Sequence, residues 1–168
     1  MTKIKMLAVA LCVIFLPVVS FATPIYIGTG SGNDNDINYI ESIINSSANY
    51  TGDKPVDLTF YAKVDAPSTS SDGLSLTYSS SKMTGTWNTM DDISFFTVKA
   101  GTGFTVWWVD SAANSGEWST EFLFVGKKNQ PAISHLSAWT LNTVSVPEPA
   151  TILLLGFGLL GIAAYRKK

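Results

Sequence analysis

The sequence predicts an all-β fold: an antiparallel β-sandwich or jelly-roll-like single domain with one short N-terminal helix, followed by a C-terminal transmembrane helix. Three observations predict it. Apolar and polar residues alternate at period two in several stretches between residues 56 and 141, the pattern of strands with one buried and one wet face. Turn-forming residues interrupt these stretches at short intervals, which favours antiparallel neighbours over parallel βαβ units. The third is the uncharged, apolar run from Ala150 to Tyr165, closed by Arg166, Lys167 and Lys168.

The first predicted element is the helix, over residues 38–46. Asn38 is a capping residue with Glu41 three positions later, and Ile40, Ile43 and Ile44 recur at helical spacing. Its apolar stripe is expected to cover an edge or end of the sandwich. Val56, Leu58, Phe60, Ala62 and Val64 then alternate with polar neighbours between Pro55 and Pro67, and Leu74, Leu76 and Tyr78 repeat the pattern. The intervening Pro67 to Gly73 is turn chemistry, so these two strands read as an antiparallel hairpin with a long loop. A second hairpin joins Ile93–Lys99 to Phe104–Val109 through Ala100-Gly101-Thr102-Gly103. Glu121–Val125 and Ile133–Leu141 complete the set, separated by Gly126 to Pro131.

Both ends of the chain carry the marks of export. Lys3 and Lys5 precede an apolar run from Met6 to Val19, and Ser20-Phe21-Ala22 supplies a small-x-small cleavage site before Thr23, the layout of a secretory signal peptide over residues 1–22. Cys12 is a poor lipid-attachment site, because Leu11 stands where a small residue is needed and apolar chain continues after it. At the other end Pro147, Glu148 and Pro149 forbid regular helix or strand across the junction and leave accessible, extended chain. The 16 residues of 150–165 make a helix of about 24 Å, short of the ~30 Å hydrocarbon core. Length alone serves a short permanent anchor and a temporary one equally. Lys3, Lys5 and the Arg166–Lys168 stop-transfer cluster are expected on the cytoplasmic side.

Pro-Glu-Pro, apolar helix and basic tail in this order at residues 146–168 resemble the PEP-CTERM sorting signal of Gram-negative bacteria. The resemblance implies export, a pause in the inner membrane, processing by the membrane-embedded enzyme exosortase near Pro147 to Pro149, and delivery to the cell surface or extracellular matrix. It further implies transient partnership with exosortase and signal peptidase, a structural or adhesive role in the exopolysaccharide or biofilm layer, and extracellular polysaccharide as a partner. Within the domain, VKAGTGFTVWWV, GEWST and QPAISHLSAW are similar to a pattern recurring in small proteins with this signal. That second likeness supports the all-β reading and transfers no site residue. The alternatives are a carbohydrate-binding module or polysaccharide-acting hydrolase at the cell surface, and a plain membrane-anchored periplasmic protein.

Between the signals, residues 23–146 form one domain of 124 residues without cysteine, and hold twelve Asp/Glu against six Lys, a net charge of −6. An acidic surface with no arginine is a poor partner for nucleic acid. Chemistry is sparse. His135 is the single histidine, which excludes a His-rich zinc site, and the missing thiol closes the cysteine routes. Ser134 and His135 point to opposite faces of a strand, and no G-x-S-x-G elbow occurs. Asp34 and Asp36, after Gly28-Thr29-Gly30-Ser31-Gly32, are oxygen ligands on a glycine-rich loop and hence calcium candidates, although the EF-hand spacing is absent. Asp91 and Asp92 are the carboxylates a polysaccharide hydrolase would use. Trp87, Trp107, Trp108, Trp118 and Trp139 serve either a large-residue core or a carbohydrate-binding face, with Trp107 and Trp108 on opposite sides of their strand and one of them nearer solvent. The expectation is a non-enzymatic protein without a cofactor.

Overall fold

A computed structural model describes residues 23–125 and 129–142. They form β1 (Ile25–Ser31), α1 (Ile37–Ser46), β2 (Leu58–Asp65), β3 (Ser70–Ser71), β4 (Leu74–Leu76), β5 (Thr84–Ala100), β6 (Gly103–Ser119) and β7 (His135–Leu141). The all-β expectation holds, with every strand pairing antiparallel in one seven-stranded sheet. No helix among the described residues is long and apolar enough to cross a membrane; the predicted spanning helix 150–165 and the signal peptide 1–22 lie outside them.

The β5–β6 hairpin organises everything else. Its two 17-residue strands join through Gly101, whose φ of +59° suits glycine. The C-terminal half of β5 pairs with β7, which pairs with β2, whereas its N-terminal half pairs with β4 and then β3. Between these halves the hairpin folds back on itself. Trp87 and Phe96 are nine residues apart in one strand, about 30 Å if it were straight, yet their ring centroids are 5.6 Å apart. The register breaks at this corner, between Asn88 and Phe95, and the buried Thr89 hydroxyl holds it by donating to the carbonyls of Asp91 (2.7 Å) and Asn114 (3.2 Å). The two layers are therefore one continuous sheet, with a core of Trp87, Phe96, Val98, Trp118, Leu136 and neighbours between them.

The second core lies on the outer face of the first layer. There Ile40 and Ile44 of α1 pack with Ile27, Phe95, Phe104, Val106 and Trp139. The helix starts one residue earlier than the sequence indicates and its cap lies two residues earlier, because Asp36 rather than Asn38 is the cap: its carboxylate accepts from the amides of Asn38 and Tyr39. Glu41 instead accepts from the Leu58 amide at 2.8 Å, tying α1 to the start of β2.

Four expectations about strands are corrected. β2 pairs with β7 and not with residues 74–78. The supposed long loop contains β3, and Asp72 and Gly73, both at positive φ, make the tight turn that pairs it with β4. Glu121–Val125 is not a strand; Phe122 stacks on Tyr26 at 4.0 Å and only Val125 bridges to Asn129. Finally, the glycine-rich segment 28–32 is largely strand β1, where a Cβ at Gly28 would come within 2.9 Å of Ile43 under α1.

Gly85 shows how close the second layer packs. A Cβ there would enter the Thr77 carbonyl oxygen and the Trp118 ring. Gly85→Ala is expected to cost about 1–3 kcal/mol, read as a lower urea midpoint at unchanged m-value. An unchanged midpoint would contradict this packing.

Candidate functional site

The loop between β1 and α1 carries Asp34 onto the outer sheet face. Gly32, at φ +80°, turns the chain, and its amide donates to the Thr102 carbonyl at 2.8 Å. Alternation on β7 places His135, Ser137 and Trp139 on this same face, and Thr97 of β5 stands directly beside Ser137. Asp34 is 4% exposed and these four residues surround it. One carboxylate oxygen lies 2.6 Å from His135 Nε2; the other accepts from Ser137 Oγ at 2.9 Å and from Thr97 Oγ1. Trp139 Nε1 donates to Thr97 Oγ1 at 3.4 Å. His135 Nδ1 lies 3.4 Å from Asp65, which also pairs with Lys63 at 3.0 Å.

Burial alone would raise the Asp34 pKa. The hydrogen bonds from His135, Thr97 and Ser137, with the charge of His135, outweigh it and hold the carboxyl below its ordinary value. Asp34 is thus ionised at neutral pH, so Nε2 of His135 carries the proton between them. A folded pKa below the unfolded one gives stability that is complete above the unfolded value of about 3.9 and is lost as pH falls through the lower folded value. Urea melts of wild type and Asp34→Asn are expected to converge as pH falls below the unfolded value and through the lower folded one. A gap between them that stays constant with pH would contradict the ionised hub.

This arrangement is not a Ser-His-Asp relay. In a relay the histidine stands between nucleophile and carboxylate, whereas here the carboxylate stands between Ser137 and His135. Ser134 is exposed, away from this buried cluster. Of the calcium candidates, Asp34 is engaged by the hub and Asp36 by the helix cap, and among the described residues no three His, Asp or Glu side chains gather as metal ligands. Asp91 and Asp92 are exposed at the corner of the folded hairpin. Trp87, Trp118 and Trp139 are buried. Trp107 and Trp108 do lie on opposite faces, but neither is the solvent-facing member: both are half-buried, each against a different core.

Two clefts flank these elements. One, of about 620 Å³, runs past Trp107 and Trp118 and is rimmed by Thr23, Glu117 and Glu121. The other, of about 500 Å³, opens beside the Asp34 hub, with Phe60, Lys63, Asn35 and Ile37 on its walls. Neither was visible from the sequence, because each joins segments far apart in the chain.

Register also places the two chain exits. Ile25, Trp108, Phe95, Trp139 and Phe60 form one continuous row across β1, β6, β5, β7 and β2. β1 enters the sheet at this row and β7 leaves just beyond it, so Thr23 and Asn142 lie at the same end. Three strand spacings separate them, about 14 Å. The expected cleavage junction Ala22–Thr23 adjoins one exit, while Pro147, Glu148, Pro149 and the Arg166–Lys168 cluster follow the other; of these, only Thr23 lies within the described residues.

No curated protein and no solved structure matches the chain. Residues 145–168 match the PEP-CTERM protein-sorting motif. The segment that follows the β7 exit therefore carries a sorting motif, which indicates an exported protein that is processed by exosortase and associated with the membrane during its sorting.

Proposed function

We propose that residues 23–146 act as a non-enzymatic structural or adhesive domain in the exopolysaccharide or biofilm layer, at the cell surface or in the extracellular matrix. The sorting motif at residues 145–168 is the observation that carries this reading. Signal peptidase releases the N-terminus, the C-terminal apolar segment holds the domain at the inner membrane, and exosortase frees it near Pro147 to Pro149. The chemistry of the domain supports a passive role: its one histidine is engaged with a buried carboxylate, and the serine closest to that pair is engaged with the same carboxylate. A cysteine-free core in two layers and a net charge of −6 on residues 23–146 suit a soluble, extracellular domain.

Fractionation of the producing cells tests the reading. The domain is expected in the surface or matrix fraction, and immunogold label should follow the exopolysaccharide. Retention in the inner-membrane fraction would favour an anchored periplasmic protein instead.

A further inference from the structure

The cleft beside Asp34 has a shape and chemistry that the sorting signal does not explain. Phe60 is 52% exposed at its wall. A single exposed aromatic is ordinary, so its exposure decides nothing alone. Its placement does. The register of β2 against β7 slips between Phe60 and Ala62, and this bulge turns Phe60 and Lys63, three positions apart, toward the same side. Both line the one cleft, with Asn35, Ser137 and the Asp34 floor. Trp139, which also lines the cleft, meets Phe60 edge-on with ring centroids 5.4 Å apart.

Charge and polarity narrow what could fill it. The Lys63 ammonium is offset by Asp65 at 3.0 Å, and Asp34 adds a negative charge below, so no net cation is left for a phosphate, sulfate or uronate. A purely apolar ligand would leave the Asn35 amide, the Lys63 ammonium and the remaining Ser137 lone pair unmatched. A sugar ring has an apolar face for the aromatic and a hydroxyl rim for these groups, and the volume lies within the usual range for small-ligand sites.

We propose that this cleft binds a neutral hexopyranose unit of a polysaccharide, with Phe60 as the stacking platform and Lys63 and Asn35 as hydroxyl partners. The proposal deepens the placement in a polysaccharide layer and rests on it for the choice of glycan.

The test uses the full chain purified in detergent and neutral oligosaccharides of glucose, mannose and galactose, with binding read by calorimetry and tryptophan fluorescence. At least one series is expected to bind saturably. Phe60→Ala should weaken it about tenfold or more, Phe60→Tyr should retain it, and Phe124→Ala, at an exposed site that does not line the cleft, should change nothing. Absence of saturable binding to every series, equal affinity of wild type and Phe60→Ala, or stronger binding of a polyuronate would overturn the proposal. Because the protein is purified, these outcomes are separate from where the cell delivers it.

Discussion

Deleting Thr143 to Val146 is expected to block removal of the C-terminal segment, so that the full-length precursor accumulates in the inner membrane. The prediction comes from where β7 ends. Leu141 pairs with Leu58, and Asn142 is still held by the sheet: its amide donates to the Asp57 carbonyl at 2.9 Å and its side chain accepts from Thr59 Oγ1 at 2.5 Å. Four residues separate Asn142 from Pro147, and fully extended chain from one Cα to the other reaches at most about 18 Å. Those residues are the whole clearance between the folded sheet and the tripeptide. Without them Pro147 would follow Asn142 directly, against the end of the sheet, where a membrane-embedded enzyme could not surround it. Misplacement of this size is expected to slow processing by about two orders of magnitude. Replacing the four residues with Gly and Ser should restore processing, since reach and not side-chain identity is at stake. Normal processing of the deletion variant, or failure of the Gly/Ser replacement, would contradict the clearance argument.

The largest stability loss is expected for Asp34→Ala. The substitution leaves His135 Nε2, Ser137 Oγ and Thr97 Oγ1 without their acceptor on a buried face, and each unpaired group costs about 1–3 kcal/mol. Removing one partner of a buried charged pair typically costs about 3–5 kcal/mol in total, a large part of the ~5–15 kcal/mol that holds a domain folded. A fall of about 10–20 °C in Tm is expected. His135→Ala should also destabilise, and the double variant should lose much less than the sum of the two, because the second change removes a group already orphaned by the first. Strict additivity, or a fall confined to a degree or two, would contradict the hub.

Much of the all-β architecture was legible in the sequence for a simple reason: alternation tells which face of a strand is buried. It does not tell which strand lies beside it. Val56–Val64 was recognised as a strand, yet its partner is β7 rather than its neighbour in sequence, because Asp72-Gly73 forms a tight turn inside what looked like one long loop. The central hairpin was seen only in part. Its far half, with Asn88, Asp91, Ser111 and Asn114 around the corner, lacks the apolar alternation of its near half. Glu121–Val125 had strand-like composition, but its phenylalanines lie against Tyr26 or in solvent. At the site, Asp34 and His135 were each singled out, but their meeting depends on a contact spanning 101 positions and on the turn at Gly32. Phe60 looked like a core residue because the bulge that re-aims it has no signature in the alternation. The C-terminal signal was legible because its recognition depends on local order along the chain: two prolines, an apolar run and three cations.

Sorting through the C-terminal segment is what separates this chain from a plainly anchored protein. It is tested most directly by intact-mass spectrometry of the protein recovered from wild-type cells and from cells lacking exosortase. Wild-type cells are expected to yield a species that begins at Thr23 and has lost the residues after the Pro147–Pro149 region, and cells without exosortase one that retains the segment through Lys168. An intact C-terminus in both would contradict it and leave a plain membrane anchor.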